Sequence, residues 1–396
     1  MSTWKEYTVA DIVSTVIDYR GKTPKKLGGD WSDSGYRALS AKNIKTGKIV
    51  QPDSIRCVSE DMYKAWMKEE IQREDILITS EAPFGQIYFW NSDEKIVLSQ
   101  RLFAIRVNGQ FYPKYIYFYM TSSFFQAELD GRATGTTVVG LRQPELLKCK
   151  VLAPSYEEQR VIAETLWCLE QKINHNEEIN NNLEQQAQAI FSNEFLALET
   201  LPEGWKQAGL IDIADYRNGL AMQKYRPDAD EIGIPVLKIK ELRQGFCDNN
   251  SEVCSSNIKR EYVIHDGDVI FSWSGSLLVD FWCGGICGLN QHLFKVTSNE
   301  YDKWFYYSWT KHHLYRFIAV AADKATTMGH IKRNELSKAE VLIPNETDYN
   351  RIGALIKPIY DLIIANRIEN KKLAETRDSL LSKLMSGEID VSDLEI

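Results

Sequence analysis

Residues 154–190 (PSYEEQRVIAETLWCLEQKINHNEEINNNLEQQAQAI) and 344–384 (PNETDYNRIGALIKPIYDLIIANRIENKKLAETRDSLLSKL) decide how this chain folds. Each stretch opens with a proline and then a helix-capping residue. Ser155 with Glu158 makes a capping-box pattern, and Asn345 with Glu346 and Asp348 repeats it, with acids where the helix dipole favours them. Apolar residues then recur three and four positions apart: Ile162, Leu166, Leu169, Ile173, Leu183, Ala187 and Ile190, then Ile352, Ile356, Ile359, Ile363, Leu373, Leu380 and Leu384. The spacing predicts two helices of about 40 residues, each on the order of 60 Å long. Gly387 suits the C-cap of the second. A narrow apolar stripe does not hold a helix by itself, so two stripes in one chain are expected to pack on each other. Both carry Asn at matching places, Asn176 and Asn180, then Asn366 and Asn370. The order globule, helix, globule, helix makes the pair antiparallel. Asn176 then faces Asn370 and Asn180 faces Asn366, and polar seam residues set register at some cost in stability. The alternative, each helix lying on its own globule with its Asn residues solvated, is disfavoured because the Asn positions repeat.

The rest of the chain repeats as well. Trp4-Lys5 with Asp11-Ile12 recurs as Trp205-Lys206 with Asp212-Ile213. Glu74-Asp75-Ile76-Leu77-Ile78 recurs as Gly267-Asp268-Val269-Ile270-Phe271, and Leu98 to Phe103 as Leu289 to Phe294. Thr136-Thr137 through Glu145-Leu146 recurs as Thr326-Thr327 through Glu335-Leu336, and Val151-Leu152 with Pro154 as Val341-Leu342 with Pro344. Residues 75–79, 101–107, 268–272 and 292–296 read as buried strands. The aromatic tracts 114–121 and 303–310 read as core helices packed on a sheet. The expected fold class is α+β: two similar mixed α/β globules joined by two long helices that form an antiparallel coiled coil, with a pseudo-twofold internal repeat. The expected boundaries are 1–154, 155–200, 201–344 and 345–396.

Length and composition agree. A chain of 396 residues is too long for one ordinary core, so two or three domains are expected. Hydrophobic residues at 44% and charged residues at 26% mark globular composition. No run of 18 apolar residues indicates a membrane span, and the first residues do not read as a signal peptide. The 7 scattered cysteines fit a reducing compartment, so a cytoplasmic location is expected. The net charge of -8 argues against a nucleic-acid partner until it is localised. Residues 155–201 hold nine acids against two bases and residues 345–396 ten against seven, so the acidity belongs largely to the helices and the globules are close to neutral. The loops 20–26 (RGKTPKK), 42–48 (KNIKTGK), 238–243 (KIKELR) and 324–333 (KATTMGHIKR) are Lys/Arg-rich and often Gly-punctuated. Such loops suit phosphate positioning, with Thr, Gln, Arg and His for base edges. Taken singly each reads as solvated surface; recurrence at equivalent places in both copies favours function.

Several chemistries find no support. Gly21-Lys22-Thr23 is not a phosphate loop, since no Gly stands five residues before Gly21 and Pro24 follows. Cys283 and Cys287 are one residue too far apart for the zinc spacing, so no metal is expected. His312-His313 lies among aromatics and reads as structural or solvated. No hydrolase, metalloprotease or dinucleotide motif is found. A binding and scaffolding protein is the reading that remains.

The ordered set of motifs resembles the DNA-specificity subunit of type I restriction–modification systems over essentially the whole chain. The resemblance rests on the duplicated Trp-Lys and Asp-Ile blocks, Leu201-Pro202-Glu203-Gly204-Trp205, the EDILI and GDVIF strands, the Thr-Thr to Val-Leu-x-Pro runs, and the ending from Lys383 to Val391. It implies a non-enzymatic reader. Each globule would be a target-recognition domain for one half of a split asymmetric double-stranded DNA site, and the helices a spacer that docks two methyltransferase subunits and, through them, restriction–translocation subunits. S-adenosylmethionine, ATP and magnesium would sit on those partners, and this chain would hold no cofactor. The candidate DNA-contacting residues are Lys22, Lys25, Lys26, Lys42, Lys45, Thr136, Thr137 and Arg142 in the first globule. In the second they are Arg217, Lys224, Lys238, Lys240, Arg243, Lys324, Thr326, Thr327, Lys332 and Arg333. Gln100 and Gln291, beside buried strands, read as structural hydrogen-bonding residues. The competing readings are a stand-alone DNA-modifying enzyme and a protein-binding structural adaptor.

Overall fold

A computed structural model describes residues 4–134, 139–323, 333–392 and 394. The chain divides into two compact units, one of Met1–Gln171 with Glu375–Ile396 and the other of Lys172–Ala374. The divisions fall inside the long helices, so each unit owns a stretch of both.

The first unit is built on a four-stranded antiparallel sheet in the order Val13–Asp18, Leu102–Val107, Ile76–Thr79, Ile87–Phe89. Ile76–Thr79 is buried along its whole length, which accounts for an unbroken apolar run where a half-exposed strand would alternate. Alternate residues feed different cores. Ile76, Ile78, Phe103 and Ile105 pack with the aromatic helix Pro113–Thr121. Leu77, Leu102 and Ala104 face the other way, toward Trp66, Ile96 and Leu98. That second core is closed by a three-stranded sheet of Arg56–Val58, Tyr36–Leu39 and Val97–Leu98. Lys5–Thr8 pairs with Lys150–Ala153, tying the start of the unit to the strand before the first long helix.

The second unit repeats this topology. Its sheet runs Asp215–Asn218, Leu293–Thr297, Val269–Ser272, Leu278–Phe281, and Lys206–Gly209 pairs with Glu340–Ile343. Val269 and Phe271 join the core that contains the aromatic helix Lys303–His312, while Ile270 and Leu293 join one with Trp282 and Leu289.

Physical reasons for the repeated motifs are visible in both copies. Asp11 Oδ2 accepts from the Thr8 backbone N–H at 2.8 Å, and Asp212 Oδ2 from that of Gly209 at 2.7 Å, so each acid caps a short helix. The hydrogen bonds from Thr8 hold the Asp11 carboxyl below its ordinary range. The acid of each EDILI-type strand neutralises a cation on the neighbouring strand: Asp75 takes Arg106 at 2.9 Å, and Asp268 takes Lys295 at 2.7 Å. Asp75 is buried, and a buried carboxylate requires such a partner.

The long helices are Tyr156–Phe191 and Glu346–Met385. Both N-termini are capped by side chains. Ser155 N–H donates to Glu158 Oε2 at 3.0 Å, while Asp348 N–H donates to Asn345 Oδ1 at 2.9 Å. Within the second unit the helices run antiparallel. Asn176 Nδ2 donates to Asn370 Oδ1 at 2.8 Å, Asn366 Nδ2 to Asn180 Oδ1 at 2.9 Å, and Asn370 Nδ2 to the Ile173 carbonyl at 3.2 Å. Within the first unit, Arg377 near the end of one helix neutralises buried Glu170 of the other. The choice posed between helix-on-helix and helix-on-globule packing was too exclusive. Val161, Ile162 and Leu166 join Leu384 and Met385 in the first unit's core, and Phe191 joins Ile352, Ile356 and Ile363 in the second's. The helices outrun the seam they share, and their ends bury apolar surface against the sheets. Among the described residues no helix is long and apolar enough to cross a membrane.

The buried amide pairs generate a prediction. Asn180→Ala leaves the Asn366 amide without its acceptor and is expected to destabilise the protein by about 1–3 kcal/mol. The double change Asn180→Leu with Asn366→Leu is expected to recover much of that loss. Thermal unfolding followed by circular dichroism measures both.

Candidate nucleic-acid interface

In the first unit, the loop after Val13–Asp18, the turn after Ile76–Thr79 and the two residues before Leu102–Val107 surround a hollow of about 940 Å³. Five cations line it, Arg20, Lys22, Lys26, Arg101 and Arg142, against two acids, Asp18 and Glu81. A second hollow of about 180 Å³ adjoins it, sharing Gln100 and Arg101 and adding Lys42, Arg56 and Trp31. The cations differ in how firmly they are held. Arg20 grips Asp18 through two nitrogens, at 2.9 and 2.6 Å, donates to the Leu141 carbonyl at 3.1 Å and lies over the Phe103 ring. Lys22 donates to the Trp66 carbonyl at 2.8 Å over the Tyr19 ring. Burial, and then nearby Lys68, push its ammonium below the usual lysine range. Lys26 Nζ donates to the Gly21 carbonyl at 2.7 Å, closing its own loop. Arg56 stacks on Trp31 at 4.1 Å. Lys25, Lys42, Lys45 and Arg142 are exposed. A concave surface with a positive balance, backed by the strands of the sheet, suits a polyanion.

The corresponding sheet end of the second unit carries a hollow of about 500 Å³ lined by Asp215, Tyr216, Arg217, Asn218, Tyr262, Trp273, Phe294 and Arg333. Its character differs. Arg217 is paired with Glu261 at 3.0 Å and Asp215 at 3.7 Å, and Arg333 lies 3.6 Å from Asp215. Trp273 Nε1 donates to Asn218 Oδ1 at 3.0 Å and sets its ring beside Phe294 and His292. Aromatic side chains make up a larger share of this lining than of the first unit's.

The structure brings Lys22, Lys26 and Arg142 together in the main hollow of the first unit, with Lys42 in the adjoining one. It brings Arg217 and Arg333 together in the second unit. Lys25 and Lys45 do not line the hollows. Lys224, Lys238, Lys240 and Arg243 are likewise outside them; Lys238 is paired with Glu252, and Lys240 with Asp248 at 3.1 Å. Thr136, Thr137, Lys324, Thr326, Thr327 and Lys332 lie outside the described residues. The structural assignment of Gln100 needs correction. Its backbone carbonyl does accept from the Ala41 N–H at 3.1 Å, but its side chain is exposed and lines both hollows. Arg20, Arg56, Arg101, Trp31 and Trp273 also belong to these surfaces and were not singled out from the sequence. The one available signal was that Gln100-Arg101 and Gln291-His292 hold the same place in the repeat and differ in the second residue.

Among the described residues no group of three or more His, Cys, Asp and Glu is placed to hold a metal ion. Cys287 meets Cys247, sulfur to sulfur at 3.4 Å. His313 Nε2 is 2.7 Å from the Glu340 carbonyl, and burial pushes its imidazole down to about 4, so it is a neutral structural donor at pH 7.

Comparison with known proteins adds three findings. Residues 1–185 and 202–375 each match the family described as the type I restriction modification DNA specificity domain. The chain is 24% identical to the MjaIX type I restriction enzyme specificity subunit of Methanocaldococcus jannaschii, over 86% of this chain and 83% of that one. It is 23% identical to the EcoKI specificity subunit of Escherichia coli K12, over 97% and 89%. In fold it is similar to the crystal structure of a type I restriction–modification S subunit from M. genitalium, with a TM-score of 0.61 at 13% identity, over 97% of this chain and 96% of that one.

If the first hollow binds a duplex, Arg142→Ala removes one phosphate contact. It is expected to weaken DNA binding about equally for all sequences and to reduce the slope of log affinity against log salt by about one. Fluorescence anisotropy titrations of a labelled duplex between 50 and 200 mM salt, about the range over which such contacts are lost, measure it.

Proposed function

The chain belongs to the type I restriction–modification DNA-specificity family, and on that footing we propose that it is the reader of its complex. In this reading each compact unit recognises one half of a split, asymmetric site on double-stranded DNA. The chain docks two methyltransferase subunits and, through them, the restriction–translocation subunits. It carries no catalysis itself; S-adenosylmethionine, ATP and magnesium are held by the partners, and the complex works in the cytoplasm.

The observation that carries the reading is the hollow of the first unit, where five cations face two acids at the end of a rigid sheet. Phosphates fill such a surface by releasing counterions, and exposed Gln100 and Arg101 beside it bear the donors that base edges accept. A second surface of different composition sits at the equivalent sheet end of the repeat. Similar scaffolds with unlike reading surfaces support two unlike half-sites.

Co-expression of the chain with methyltransferase subunits, followed by long-read mapping of modified bases, tests the proposal. Adenine methylation is expected at one motif with two specified halves and an unspecified gap. A continuous motif would reject the two-reader assignment, and turnover by the purified chain alone would reject the non-catalytic one.

A further inference from the structure

We propose that Gln100 and Arg101 are base-reading residues of the first unit, with Gln291 in the corresponding place of the second. This rests on the DNA-reading function above and names the side chains that set the sequence read. Residues 100 and 101 form the step between the ridge dividing the two hollows and the buried strand Leu102–Val107. Their backbone is pinned on both sides. The Gln100 carbonyl accepts from Ala41 N–H at 3.1 Å, the Arg101 carbonyl accepts from Ser80 N–H at 2.8 Å, and Ser99 N–H just before them donates to the Leu39 carbonyl at 2.7 Å. Arg101 has φ +62°, a left-handed conformation that glycine would adopt without strain. A long cation is nevertheless kept there, and strained positions of this kind gather at ligand-contacting sites.

The side chains suit the task. Gln100 is exposed, and its amide has no hydrogen-bond partner among the described residues. Arg101 is steadied through Nε by Glu81 at 2.9 Å, which leaves its terminal nitrogens for a ligand. A glutamine amide can pair with adenine at two atoms, and a guanidinium with guanine at two atoms. In the second unit one bond of this frame recurs. Asn290 N–H donates to the Leu237 carbonyl at 3.2 Å, as Ser99 does to Leu39, and Gln291 and His292 follow. Gln291 Nε2 lies 3.3 Å from His292 Nε2, and the other ring nitrogen of His292 is buried, so His292 stands behind Gln291 as its support. The corresponding step thus carries Gln-Arg in one unit and Gln-His in the other, and without the left-handed turn of Arg101 the second presents Gln291 differently, as unlike half-sites require.

The test uses the full chain co-expressed with methyltransferase subunits, selecting from a library of random-sequence duplexes. Gln100→Ala and Arg101→Gly, the latter suited to the backbone, are expected to loosen one or two base positions in one half of the motif. Discrimination there should fall about tenfold, with the other half unchanged. Gln291→Ala should loosen the other half alone. Arg101→Lys keeps the charge but not the two-pronged geometry, and should lose discrimination while retaining the salt slope. Uniform weakening with the motif intact, or blurring of both halves by one substitution, would overturn the assignment. Failure of the wild-type complex to select any motif would overturn the DNA-reading function instead.

Discussion

A helix with one apolar stripe is only as stable as whatever covers that stripe. The two long helices meet this requirement in two ways: their ends enter the cores of the compact units, and their middles cover each other. The amides of Asn176, Asn180, Asn366 and Asn370 make the second arrangement specific. In the observed register each has a partner. Sliding one helix by a turn would leave buried donors and acceptors facing alkyl chains, and an unpaired buried amide is more damaging than a missing methyl contact. The seam gives up some stability for a single alignment.

Charge is sorted along the same lines. The acids that make the whole chain negative lie mainly on the helices, where Glu170, Glu184 and Glu194 are matched with Arg377, Arg367 and Arg351. The first hollow has a positive excess despite the net charge of -8. Screening at physiological salt acts over roughly 8 Å, so a ligand in that hollow responds chiefly to the charges that line it.

Periodicity made the architecture legible. Runs such as Ile76–Thr79 are apolar throughout because the sheet separates two cores, and the helical stripes are narrow because they meet a seam. The lining of the hollows was only partly legible. Lys22, Lys26, Lys42 and Arg142 stand out as basic loop residues, but Arg20, Arg56 and Trp31 matter through a fold that joins residues far apart in sequence. Gln100 misled because buried runs flank it, residues 96–99 before and 102–105 after, while residues 100 and 101 stand exposed between them. Lys238 and Lys240 looked free until folding set Glu252 and Asp248 beside them.

Those carboxylates have one more effect. In the second unit Arg217, Lys238 and Lys240 each already hold an internal anion. A phosphate arriving there must evict a carboxylate, and the exchange of one anion for another yields little net attraction. On the proposed reading the second unit is thereby shielded against indiscriminate adhesion to polyelectrolytes, and its grip on DNA rests on contacts, such as the Trp273 face, that a charged backbone alone does not satisfy.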